Sequence, residues 1–155
     1  MKIVFNPILS LSLIALCALA SCFPDFNSES RAIFASGIAY YHEGKYDEAM
    51  NDFRSTILRE YKPAESYYYV GNISVEKNQL EEAIAAYQKA IEFKRNYSEA
   101  YYGLARAYSL KGVAPKAIAV LGKAIDLKRH WRDIARDDPA FSNLRDTPEF
   151  QRDVP

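Results

Sequence analysis

Neither sign of charge dominates this chain, cysteine is nearly missing, and glycine, histidine and tryptophan are scarce. Twenty basic and twenty acidic residues cancel, so the basic footprint that tracks a phosphate backbone is missing and nucleic acid is excluded as a partner. The two histidines, His42 and His130, are far apart in the chain, and Tyr46 stands where a zinc motif opening at His42-Glu43 would need its second histidine. None of the six glycines lies in a loop with phosphate-cradling spacing ahead of a helix. The acid pairs Glu81-Glu82 and Asp137-Asp138 sit at helix starts, where the macrodipole favours them, rather than in a general acid/base arrangement. No catalytic residue, metal ligand or cofactor is expected, and the chain is not expected to be an enzyme. What the chain does contain is apolar: 49% hydrophobic and 14% aromatic residues, twelve of them tyrosines, well above a disordered composition.

The first 22 residues speak to the compartment. Lys2 is a positive n-region, and Ile8–Ala20 is an apolar h-region of signal-peptide length. Asn6, Pro7 and the serines leave it short of the ~20 clean apolar residues of a membrane span. The run ends in Leu19-Ala20-Ser21-Cys22, which resembles the bacterial lipobox. That resemblance implies a signal peptide over residues 1–21 and acylation of Cys22, giving a palmitate-type anchor worth about 0.8 kcal/mol per buried CH₂. Ala18-Leu19-Ala20 is also an A-x-A site, so ordinary cleavage to a soluble periplasmic protein stays open. Phe23 after the cysteine resembles an outer-membrane address, placing the protein on the periplasmic face of that membrane. Cys17 would leave with the leader, so the mature chain has no disulfide partner for Cys22.

Residues 22–29 show no period and read as the lipidated N-terminus and a tether. From Ser30 the sequence repeats every 34 residues without a gap over 30–130, in units 30–63, 64–97 and 98–131. Position eight of the units holds Gly37, Gly71 and Ala105; position 20 holds Ala49, Ala83 and Ala117; position 27 holds Thr56, Ala90 and Ala124. Large side chains face these notches: Phe53, Tyr87 and Leu121 at position 24, and Ile57, Ile91 and Ile125 at position 28. Position 15 holds Gly44, Asn78 and Gly112, residues that accept the left-handed backbone on which a helix ends and reverses. Helix-starting residues follow at Asp47, Glu81 and Pro115. The pattern predicts a first helix over Arg31–Glu43, Glu65–Lys77 and Glu99–Lys111, and a second over Asp47–Arg59, Glu81–Phe93 and Pro115–Leu127. After Arg129 the period fails. Asp138-Pro139 and Thr147-Pro148 each look like an N-cap with proline in the first turn. Short helices over Trp131–Arg136, Pro139–Arg145 and Pro148–Asp153 are therefore expected to cap the array as residues 131–155, with Trp131, Ile134, Phe141, Leu144 and Phe150 inward.

These features resemble the tetratricopeptide repeat (TPR) family across about 100 of the residues after position 21. The usual tryptophan at position four is Ile33, Tyr67 and Tyr101, and the usual tyrosine at position 11 is Ser74 in the second unit. The resemblance implies an all-α fold of three TPR helix-turn-helix hairpins in a right-handed superhelix with a short helical C-terminal cap. It also implies a protein-binding scaffold whose first helices line a concave groove. Read onto this chain, the groove residues are Arg31, Phe34, Ile38, Tyr41, Glu65, Tyr68, Asn72, Tyr102, Arg106 and Ser109. Phe34, Tyr68 and Tyr102 would form an aromatic ladder for a peptide segment. The lysine and asparagine that clamp a partner's terminal carboxylate in one subfamily are here Phe34 and Ile38, which argues against that use. The function expected is an interaction adaptor or assembly factor in the bacterial envelope, anchored through Cys22. Alternatives are a carrier of a small apolar ligand in an aromatic-lined cavity, and a homo-oligomer that uses the aromatic face for itself.

Overall fold

The structure is a computed structural model that describes residues 26–155; the leader, Cys22 and the start of the tether lie outside them. Six helices form three antiparallel hairpins: α1 (Phe26–His42) with α2 (Tyr46–Leu58), α3 (Pro63–Glu76) with α4 (Leu80–Phe93), and α5 (Ser98–Leu110) with α6 (Ala114–Leu127). A cap follows: α7 (His130–Asp137), a 3₁₀ turn at Pro139–Phe141, and α8 (Pro148–Asp153). Among the described residues there is no strand.

Each hairpin reverses at the residue the period singles out. Gly44, Asn78 and Gly112 have φ of 73°, 56° and 79°. Behind each, one N–H reaches back five residues to close the helix: Lys45 to Tyr40 O at 2.9 Å, Gln79 to Ser74 O at 2.7 Å, Val113 to Tyr108 O at 2.9 Å. That bond satisfies carbonyls that the last helical turn would otherwise leave open. Inside the hairpins the knobs meet their notches. The Phe53 ring lies 3.1 Å from where a Cβ on Gly37 would be, and the Tyr87 ring lies 2.6 Å from the corresponding point on Gly71. Tyr87 is fully buried and touches Gly103 on its other side equally closely, so one ring joins the second and third hairpins.

Charge repeats with the same period. Asp47 at the start of α2 bonds Lys77 at the end of α3, and Glu81 at the start of α4 bonds Lys111 at the end of α5. At the opposite edge, the end of each second helix is tied to the start of its own first helix: Arg59 to Glu29, Lys94 to Glu65 and Lys128 to Glu99. Between hairpins, buried Thr56 and Ser66 share a 2.8 Å hydrogen bond.

Three expectations are corrected, the first being the helix expected over Pro139–Arg145, of which only the 3₁₀ turn Pro139–Phe141 forms. α1 begins at Phe26, five residues before Arg31, because Glu29 in its first turn is held by two bonds to Arg59 and extends the helix through a segment with no apolar stripe. In the cap, Phe141, Leu144 and Phe150 are buried as expected, but Ile134 is 44% exposed and Ala135 is buried in its place. A helix of eight residues seated closely against α6 admits a methyl where the sec-butyl group of isoleucine would not fit. Asp138 and Thr147 do cap, accepting from the Ala140 and Phe150 N–H groups.

Candidate functional site

The first helices of successive hairpins, α3 and α5, touch one another, which puts them on the inner side of the curve. The inner side does not present the three rings as one ladder. No two of Phe34, Tyr68 and Tyr102 are in ring contact, and two of them are 7% exposed.

Phe34 is a packing residue. Its ring is edge-on to Phe53 at 5.8 Å, Tyr61 at 6.0 Å and Tyr69 at 6.2 Å, with the Lys62 ammonium 4.9 Å from its centroid. The cause is the turn between the first two hairpins, where Glu60 and Lys62 both take positive φ and fold Tyr61 and Lys62 back over α1. Arg31 is exposed and Glu65 is drawn to Lys94 at 3.6 Å, so both stand near the end of a hairpin.

The third repeat's inner face is covered by the chain itself. Trp131 stacks on Tyr102 at 4.3 Å with an interplanar angle of 18°, and Phe141 meets the same ring edge-on at 5.8 Å. The Tyr102 hydroxyl donates to Asp138 at 2.7 Å, and Arg106 Nε lies 2.9 Å from that carboxylate. Ser109 donates to Asn143 Oδ1 at 2.8 Å while the Asn143 amide donates back to the Ser109 carbonyl at 3.2 Å. Burial, then the bond to Asp138, push the Tyr102 phenol far above its ordinary range. Tyr102, Arg106 and Ser109 are therefore brought together, but under Trp131, Asp138 and Asn143 rather than in an open groove. The helix break at Asp138-Pro139 was visible in the sequence; that the chain then turns inward over α5 was not.

What remains open lies on the first two repeats. Tyr41 and Tyr68 are half-buried and both lean on Tyr69, at 5.4 and 5.5 Å. Tyr68 also meets Tyr87 at 6.1 Å and Tyr97 at 5.3 Å. Ile38 and Val75, also half-buried, complete an apolar wall. Asn72 accepts a 2.7 Å hydrogen bond from the Tyr87 hydroxyl through Oδ1. This bond fixes the amide and leaves its N–H₂ end to meet a ligand carbonyl. Burial raises the phenols of Tyr41 and Tyr69, keeping both neutral far into alkaline solution. Two further hollows lie elsewhere: about 450 Å³ between α6 and α8, lined by Pro115, Ile118, Gly122 and Thr147, and about 320 Å³ beside α2 and α4, lined by Met50, Tyr67, Val70 and Ala86. The first has no aromatic lining and the second a single tyrosine, unlike the cavity expected of an apolar-ligand carrier. Among the described residues no group of His, Cys, Asp and Glu could hold a metal ion. No helix there is long and apolar enough to cross a membrane.

Residues 71–112 match the family model described as a TPR repeat, and residues 98–130 match the one described as a tetratricopeptide repeat. No curated protein matches in sequence. Among solved structures, the crystal structure of MamA aligns with a TM-score of 0.70 at 24% identity, over 81% of this chain and 74% of that one. The first TPR of Spaghetti (RPAP3), bound to the HSP90 peptide SRMEEVD, aligns at 0.65 with 15% identity over 82% of this chain and 91% of its own. YrrB, described as a TPR protein with an unusual peptide-binding site, aligns at 0.65 with 17% identity over 80% and 64%. At these identities the likeness establishes the fold: stacked tetratricopeptide hairpins in a right-handed superhelix, closed by a short helical cap.

Proposed function

We propose that this chain is an envelope adaptor, held to a membrane by lipid on Cys22, that captures a segment of a partner protein against the inner wall of its first two repeats. The supporting observation is the set Ile38, Tyr41, Tyr68, Asn72 and Val75. These are half-buried residues on neighbouring helices, with rings braced by Tyr69 and an amide oriented by Tyr87. Rigid aromatics beside one oriented amide suit a peptide, because each ring contributes large contact area with little rotamer entropy to lose. Two proteins of the same fold are described with a bound peptide or a peptide-binding site. Anchoring rests on the lipobox-like Leu19-Ala20-Ser21-Cys22 alone.

The test is photo-crosslinking from residues 41 and 68 in intact cells, with Ala85 and Ala119, two exposed positions on second helices, as controls. Inner-wall positions should trap one partner that the controls do not. Tyr41→Ala and Tyr68→Ala should weaken its capture about tenfold each, roughly the 1.4 kcal/mol of a modest hot spot, with helical content unchanged. Full capture by both variants sinks the groove. A stoichiometric small ligand in native mass spectra, with no protein trapped, would point to a carrier instead.

A further inference from the structure

The last residue of each second helix is a large apolar side chain left exposed. Leu58, Phe93 and Leu127 close the second helices of the three hairpins and are 86%, 58% and 41% exposed. Single exposed apolar side chains are ordinary. Three at matching places, 35 and 34 residues apart, stand along one edge of the array. That edge is defined by the ion pairs joining the end of each second helix to the start of its own first helix, Arg59 to Glu29, Lys94 to Glu65 and Lys128 to Glu99. Cations lie between the apolar points. Lys62, Arg95 and Arg129 are exposed and form no ion pair with the described residues, the Lys62 ammonium resting 4.9 Å from the Phe34 ring centroid, with Glu60, Asp126 and Asp133 as neighbouring acids in sequence. The opposite edge has one such side chain, Leu110 at 48% exposed, and otherwise another character. Its first two turns carry Glu43, Asp47, Glu48, Glu76, Glu81 and Glu82 against Lys45 and Lys77, with Lys111 and Lys116 at the third.

The chain enters the fold from the same edge. α1 starts at Phe26, beside Arg59 through Glu29, and only Phe23, Pro24 and Asp25 separate it from Cys22. Four residue steps span at most about 14 Å fully extended. A lipid on Cys22 would hold this edge, and no other, within that distance of the bilayer.

We propose that the edge formed by the inter-repeat turns is a membrane-contact surface, with Leu58, Phe93 and Leu127 entering the headgroup region of an anionic bilayer and Lys62, Arg95 and Arg129 meeting its phosphates. The proposal rests on the reading of Cys22 as the lipid anchor. Anchor and edge then act as two attachments, the lipid holding the chain at the bilayer and the edge fixing how the array is oriented on it. With the edge down, the inner wall of the first two repeats opens sideways, parallel to the membrane.

The experiment uses the full chain, processed in cells, purified and placed in vesicles of phosphatidylethanolamine and phosphatidylglycerol. Palmitate labelling of Cys22 is scored first and by itself. An environment-sensitive fluorophore is attached at Leu58→Cys, Phe93→Cys and Leu127→Cys, and on the opposite edge at Glu43→Cys and Lys111→Cys. Probes at 58, 93 and 127 should be blue-shifted and quenched several-fold more strongly by brominated lipid than those at 43 and 111. Equal quenching on both edges of an acylated protein overturns the edge and leaves the anchor standing. If Cys22 carries no lipid, the anchor reading fails, and flotation of the unacylated protein with the same vesicles decides the edge. Binding that falls about tenfold in Phe93→Glu, and disappears when phosphatidylglycerol is omitted, supports it; no binding overturns it.

Discussion

Gly71→Ala adds one methyl to the point where two hairpins and a tyrosine meet. Its Cβ would lie 2.6, 2.8 and 2.9 Å from Cε1, Cδ1 and Cζ of Tyr87, whereas carbon atoms rest at about 3.5–4.0 Å. The ring must therefore retreat by about an ångström. It has nowhere to go. It is fully buried, its far side is against Gly103 with the same ring atoms 2.6 Å from that residue's own Cβ position, and its hydroxyl is bonded to Asn72 at 2.7 Å. Overpacking of this kind costs about 1–3 kcal/mol, against which alanine in a helix returns about 1 kcal/mol over glycine. With the Tyr87–Asn72 bond also displaced, the net loss should be about 1–2 kcal/mol, or a fall in Tm of roughly 3–10 °C for a domain of this size. Urea unfolding followed by circular dichroism measures it. Gly122→Ala is the control, since the nearest atom to its added methyl is Asp153 Oδ2 at 4.0 Å and that helix should gain stability. Tyr87→Leu placed in the Gly71→Ala background should recover part of the loss, a non-additivity expected only of groups in contact. If Gly71→Ala stabilises as much as Gly122→Ala, the ring has slack, and the claim that it locks two repeats together is wrong.

Asp138→Ala removes the acceptor of Tyr102 and the partner of Arg106; hydrogen exchange should speed in residues 130–155 while α1 to α4 keep their protection. Uniform loss of protection would show that the tail is part of the core rather than a cover. Stability should also fall at both ends of the pH scale. Bonds to Arg59, Lys77 and Lys111 hold the carboxyls of Glu29, Asp47 and Glu81 below the ordinary range. Unfolding then takes up protons, and the contribution is present above the ordinary carboxylate value of about 4 and lost as pH falls through the lower folded values. Burial raises Tyr87, Tyr97 and Tyr102, so their contribution is whole below the ordinary phenol value of about 10 and is lost above it. Melting curves from pH 2 to 12 that stay flat at both extremes would contradict this.

The 34-residue period carried most of the fold because a hairpin is specified locally. A left-handed residue at position 15 and a small residue opposite a large one are properties of short stretches, and Gly44, Gly37 and Phe53 take the roles their positions assign. The inner surface was less legible because its occupants come from outside the period. Phe34 is covered by Tyr61 and Lys62, whose placement follows from two positive φ values at Glu60 and Lys62, residue types that give no warning of such a backbone. Ser109 meets Asn143, 34 residues later, in a tail where the repeat pattern has ended. The extra turn of α1 was hidden for a similar reason, since Glu29 is tied to a residue 30 positions away. Asn72 was visible as a position; that Tyr87 orients it was not.

The acid-to-lysine clasp that joins neighbouring hairpins also sets how the array can lengthen. Each junction needs an acid opening one second helix and a lysine closing the next first helix, as in Asp47 with Lys77 and Glu81 with Lys111. The final hairpin opens its second helix with Ala114 and Pro115 and has nothing to offer a successor. The middle hairpin owns both halves, Lys77 to receive and Glu81 to give. A duplicated copy of residues 64–97 would therefore dock on either side in register, whereas a duplicated last hairpin would meet a proline, so growth by tandem duplication is open only from within.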